Sequence, residues 1–117
     1  MTARQLRALC LALPGAREEF PFRPNLSVFK VGPKMFALSA LAENSLRVSV
    51  KCEPELGADL RASYPSITPG YHLNKRHWLT VAIDGSIPDT LVRDLVEGSY
   101  ELVVDSLPRA RKRALDL

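Results

Sequence analysis

The residues with the greatest chemical capacity in this chain are concentrated in PGYHLNKRHWLTV, positions 69–81. There two histidines, an asparagine, a Lys-Arg pair, a tyrosine and the only tryptophan occur without a carboxylate. Cationic groups beside an indole are what a surface needs to hold phosphates and to stack on a base. They are poor material for other chemistries. His72 and His77 have no neighbouring Asp, Glu or Cys to complete a tetrahedral shell, so no metal is expected. His72 also lacks a paired carboxylate or an oxyanion feature. Cys10 and Cys52 fall on apolar stripes with no base beside them, which makes them reduced core thiols rather than nucleophiles. The chain is therefore not expected to be an enzyme, and nothing in it calls for a cofactor.

The elements that must position this segment follow from periodicity. Thr2 and Gln5 have capping-box spacing, and Leu6, Leu9, Cys10 and Leu13 then form one helical stripe ended by Pro14-Gly15. Residues 26–31 read as a strand, Gly32-Pro33-Lys34 as a turn, and residues 35–41 as the antiparallel partner. Residues 45–52 alternate cleanly, with Leu46, Val48, Val50 and Cys52 inward and Ser45, Arg47, Ser49 and Lys51 outward. Pro54 opens a short helix to about residue 63 with Leu56 and Leu60 on its buried side, and residues 65–76 form a loop. Residues 77–83 make another strand, with Leu79, Val81 and Ile83 inward and Trp78 and Thr80 outward. A long helix from Pro88 and a shorter one ending near Leu115 complete the chain. The sum is an α+β fold: a mainly antiparallel sheet with helices packed on one face and the other face open.

At 117 residues and 46% hydrophobic content, residues 1–117 are expected to form a single domain with one core. No apolar run is long enough to span a bilayer and no secretory signal opens the chain, so a cytoplasmic protein without membrane contact is expected. The net charge of +3 is unevenly placed. Residues 20–42 and 60–83 contain no acid, whereas residues 84–105 hold six acids against Arg93. Such a two-sided charge distribution bears on partners rather than on fold.

The stretches FPFRPNLSVFKVGPKMFAL, VKCEPEL, YPSITPGYHLNKRHWLTV and GSYELVVDSLPRARKRAL together resemble the MmcQ/YjbR family of small bacterial proteins, usually described as DNA-binding. The resemblance runs in uninterrupted order over almost the whole chain. It implies a fold like that of bacterial frataxin (CyaY-like) and a role in binding DNA. Leu73 and Leu79 depart from the family pattern, which at the latter position carries a polar residue.

Two functional readings follow. In the first, the open sheet face and the following loop bind nucleic acid, duplex DNA above all. Lys34, Arg47, Lys51, Lys75 and Arg76 would contact phosphates, His72 and Asn74 would make polar contacts, and Trp78 would stack or wedge. In the second, Tyr71, His72, Lys75 and Trp78 form a pocket for a small anionic ligand or a protein partner. Trp78 itself has two possible placements: presented outward, or covered by the 65–76 loop with its indole satisfied internally.

Overall fold

The structure is a computed structural model describing residues 1–70 and 73–117 of the chain. Tyr71 and His72 lie outside the described residues. The first helix, α1 (Ala3–Leu11), begins with the expected reciprocal cap. The Gln5 N–H donates to Thr2 Oγ1 at 3.1 Å, and the Thr2 N–H donates to Gln5 Oε1 at 2.8 Å. Then come β1 (Ala16–Glu19), β2 (Ser27–Val31), β3 (Lys34–Ser39), β4 (Arg47–Lys51), α2 (Pro54–Ser63), β5 (Ile67–Pro69), β6 (Trp78–Ala82), α3 (Asp89–Asp105) and α4 (Arg109–Ala114). The strands form one sheet in the order β1-β2-β3-β4-β6-β5, antiparallel throughout. No helix among the described residues is long and apolar enough to cross a membrane.

The α+β architecture expected from periodicity is the observed one, with two additional strands. Residues 16–19 read AREE and carry no apolar alternation, yet they pair with β2 as an edge strand. Charges suit that position, because they discourage pairing with a second molecule. Glu19 accepts from Arg17 Nε at 2.6 Å and pairs with Lys30 Nζ at 3.3 Å, while Glu18 takes Arg7 Nε at 2.8 Å and Ser27 Oγ at 2.7 Å. Hydrogen bonds from Arg17 and then Lys30 hold the Glu19 carboxyl below the usual carboxylate range. The second addition, β5, lies in the segment expected to be loop.

The β2–β3 hairpin turns on Gly32-Pro33, between the paired Val31 and Lys34. Gly32 has φ 59°, a conformation open to glycine at the first position of a two-residue turn. Just beyond the turn the ladder shifts register: Lys30 pairs with Met35 and Phe29 with Ala37, so that Phe36 is a bulged residue without an opposite number in β2. Phe36 and Ala37 both enter the helix-side core as a result.

That core joins Phe29, Val31, Val48, Val50, Leu79 and Val81 from the sheet to Leu6, Cys10, Leu60, Val92, Val96 and Val103 from the helices. Leu56 was expected on the buried side of α2, but it is half exposed, and Gly57 and Leu60 are the buried positions of that helix. Helix α3 crosses β2, β3 and β4 and is fixed by two adjacent residues. Tyr100 stacks edge-on against Phe36, with ring centroids 5.4 Å apart, and donates its hydroxyl hydrogen bond to the Pro14 carbonyl. Ser99 is wholly buried. Its hydroxyl donates to Phe36 O at 2.6 Å and accepts from the Lys51 N–H at 2.8 Å, bridging the bulge in β3 to the end of β4.

Removing that hydroxyl strands two buried backbone groups. Ser99→Ala is therefore expected to cost about 1–3 kcal/mol of stability, measured as a lower urea midpoint at unchanged slope. An unaltered midpoint would show that the bridge contributes nothing.

Candidate functional site

Strand alternation puts Arg47, Ser49 and Lys51 of β4 and Trp78 and Thr80 of β6 on the face away from the helices, as the sequence implies. Their registers match across the ladder: Lys51 opposite Trp78, Ser49 opposite Thr80. The hydroxyls of Ser49 and Thr80 meet at 3.0 Å. This face is open to the side away from the helices, as expected, but it is not wet throughout. Val28, Leu38 and Trp78 form a second buried apolar cluster on it, with Leu26, Met35 and Leu73 packed at its margin.

Trp78 is covered rather than presented, with only 8% of its surface exposed and Leu73 of the 65–76 segment packed at its cluster. The chain on either side of residues 71 and 72 is tied to the Trp78 backbone. Gly70 N–H donates to Trp78 O at 2.8 Å, and Trp78 N–H donates to Asn74 O at 2.9 Å. The approach at Gly70 is so close that a Cβ there would lie 2.7 Å from Trp78 Cβ and 3.1 Å from its carbonyl oxygen. Asn74 stabilises the turn further, its side-chain oxygen accepting from Arg76 N–H at 3.0 Å. Leu73 thereby falls on the apolar cluster.

The other residues expected to contact phosphate are dispersed. Lys34 lies opposite Val31 and donates from Nζ to Ser106 Oγ at 2.9 Å, which ties it to the C-terminal end of α3 on the helix side. Lys30, which alternation within β2 also puts on the helix-free face, is engaged by Glu19. Lys75 Nζ reaches the Gly70 carbonyl at 3.4 Å, and Arg76 is exposed on the turn. Arg47 is at the far end of β4 from Lys51. The expectation for His72, like that for Tyr71, falls outside the described residues. Leu79, where the family pattern carries a polar residue, is 1% exposed and belongs to the helix-side core.

What the helix-free face does assemble is a pocket of about 400 Å³. Leu26, Leu38, Ala40 and Leu73 give it apolar walls, and Ser39, Ser45, Ser49 and Thr80 supply hydroxyls. Arg23, Glu43 and Arg47 stand around it, together with Phe22, which is 63% exposed. Sequence reasoning placed Arg47, Ser49 and Thr80 on this face but missed Phe22, Arg23, Leu26, Glu43 and Leu73. The available signal was FPFR at residues 20–23, two large apolar residues beside a cation in a stretch with no strand or helix pattern.

Other chemistries find less support in the geometry. Both cysteines are free and buried. Burial, with the Glu18 carboxylate adding, pushes the Cys10 thiol up to about 12; burial and then Glu53 also raise Cys52. Neither is a thiolate near neutral pH. Among the described residues no group of three or more His, Cys, Asp or Glu side chains could hold a metal ion.

The YjbR family model matches residues 11–102. The Escherichia coli K12 protein YjbR is 38% identical over 115 residues, 98% of each chain. The YbdF protein of Escherichia coli O157:H7 is 40% identical over 103 residues, covering 88% of this chain and 84% of its own. Among solved structures, a crystal structure of a Deinococcus radiodurans protein superposes with a TM-score of 0.93 at 44% identity, over 99% of this chain and 88% of that one. A Pseudomonas syringae protein superposes with a TM-score of 0.75 at 28% identity, over 87% and 98%.

The contact at Gly70 gives a direct check on the covered face. Gly70→Ala is expected to lower stability by about 1–3 kcal/mol, the usual range for overpacking, and to shift the emission of the single tryptophan to the red with greater acrylamide quenching. Emission and quenching identical to the native protein would mean that residue 70 does not hold the cover in place.

Proposed function

The chain belongs to the YjbR family, and we propose that it binds a small amphipathic anion in the pocket on its helix-free sheet face, without catalysing a reaction. One observation carries this reading: two guanidinium groups, Arg23 and Arg47, flank a concavity whose inner wall is Leu26, Leu38 and Leu73. The volume, about 400 Å³, falls in the range of small-molecule sites. An apolar body would rest on the leucines while a carboxylate, sulfonate or phosphate met the arginines, and the strand hydroxyls would fix its orientation. The site borders the segment that sequence analysis singled out for a ligand and takes Leu73 and Thr80 from it, but Lys75 and Trp78 do not line it.

Duplex DNA is the second reading. It rests on Lys51, Lys75 and Arg76, which have no carboxylate within ion-pair distance among the described residues. Against it stand the pairing of Lys30 with Glu19, the turn of Lys34 to the helix side and the cover over Trp78, which take two cations and the indole away from the expected surface. A flat, continuous cationic surface would favour a polyanion; a walled cavity favours a compact ligand.

The test uses 8-anilinonaphthalene-1-sulfonate, an aromatic body bearing one anion, whose fluorescence rises in apolar sites. The Arg23→Met, Arg47→Met double variant is expected to bind it about tenfold more weakly than the native protein. Equal affinity would remove the arginines, and this reading, from consideration. In parallel, Lys75→Ala with Arg76→Ala is expected to leave retention on duplex DNA and its salt dependence unchanged. A loss of retention with a salt slope reduced by nearly two would favour the nucleic-acid reading.

A further inference from the structure

Glu43 is the feature of the pocket that the ligand-binding reading leaves unexplained. A carboxylate beside two arginines weakens any site built to attract an anion. Its geometry is specific: Oε1 is 4.0 Å from Arg23 Nη2 and Oε2 is 4.0 Å from Arg47 Nη2. One carboxylate thus divides itself between two guanidinium groups, and each separation is too long for a hydrogen bond. The arginine side chains that do donate to a carboxylate among the described residues are Arg7 and Arg17, at 2.8 and 2.6 Å. Attraction holds the Glu43 trio together while the guanidinium donors facing it stay unmatched. All three side chains are about half exposed, so each is able to turn.

Resting on the ligand-binding reading, we propose that Glu43 is a resident counter-anion, which holds Arg23 and Arg47 at the pocket mouth and is displaced by the anionic group of the ligand. Glu43 follows a turn closed by its own N–H to Ala40 O at 3.1 Å, which fixes the backbone and leaves the side chain to swing. A ligand oxyanion approaching to 2.7–2.9 Å, the usual charge-assisted distance, makes the hydrogen bonds that Glu43 does not. The displaced carboxylate moves into water at little cost because it is already half solvated. Competition of this kind discriminates. A neutral apolar molecule has nothing with which to displace Glu43 and gains only the leucine wall, whereas an anion able to engage both arginines gains the pair.

The consequence has a definite sign. Removing the Glu43 charge should tighten anion binding and leave a neutral analogue unaffected. Two probes with the same ring skeleton separate these effects: 8-anilinonaphthalene-1-sulfonate and its uncharged relative N-phenyl-1-naphthylamine. Glu43→Gln is expected to bind the sulfonate roughly threefold to tenfold more tightly, the scale of two exposed ion pairs, and the neutral amine within about twofold of native. Glu43→Ala, with an unchanged melting temperature as the check on folding, is expected to behave alike. Unchanged sulfonate affinity in both variants, with the arginine double variant still weakened, would overturn the role of Glu43 and leave the pocket standing. Equal tightening of both probes would also overturn it, since that would mean a widened cavity. Sulfonate binding indifferent to the arginines would overturn the pocket reading and this inference together.

Discussion

A sheet face that carries Val28, Leu38 and a tryptophan cannot be left to water, and no helix among the described residues lies across it. Burying side chains of this size is worth about 1.5–3 kcal/mol each, so the loops must do what helices do on the opposite side. The backbone of Trp78 is the anchor: it accepts from Gly70 and donates to Asn74, so both of those residues are held at the face. Only glycine permits the approach at position 70. Leu73 then closes onto the cluster from one side and Leu26 from another. The pocket is the part of this face that the two coverings do not reach, which is why it has leucine walls and a floor of strand hydroxyls.

Electrostatics follows from the same layout. Charge that the sequence presents as one basic patch is divided in space by the register of the strands. Lys34 turns to the helix side and meets Ser106 at the end of α3, where helix carbonyls favour a cation. Lys30 faces the other way and is taken by Glu19 on the edge strand. The arginines that remain around the concavity are Arg23, from the covering loop, and Arg47, from the end of β4, both balanced by one distant carboxylate. An internal charge balance this loose is readily exchanged for an external one, which is what the proposed ligand site requires.

Much of the scaffold was legible because its signals are local. The Thr2 and Gln5 cap, the Leu6, Leu9, Cys10 and Leu13 stripe and the alternation in residues 45–52 each lie within or around one element. Two strands escaped for opposite reasons. Residues 16–19 are mostly charged because they form an edge, and Ile67–Pro69 is too short to show a period. The outward Leu38 was masked by the continuous apolar run of residues 35–38, in which alternation cannot say which face a residue takes, and the bulge at Phe36 then shifts the phase within β3; Val28 sits beside Phe29, so that apolar pair alone does not say which of the two turns outward. The pocket draws on residues 22–49, 73 and 80, a set no local pattern connects. Its one sequence trace, two phenylalanines just ahead of Arg23, becomes meaningful only when Phe22 is seen to stand exposed beside a cavity.

The central claim is that the uncovered part of the helix-free face is a binding site for an anion with an apolar body. Amide chemical-shift mapping of the isotopically labelled protein during titration with 8-anilinonaphthalene-1-sulfonate tests it most directly. The account predicts saturable shifts clustered at Arg23, Leu26, Leu38, Arg47, Ser49 and Thr80, with the helices silent. Shifts confined to the 74–77 turn and to α4, or spread evenly without saturation, would contradict it.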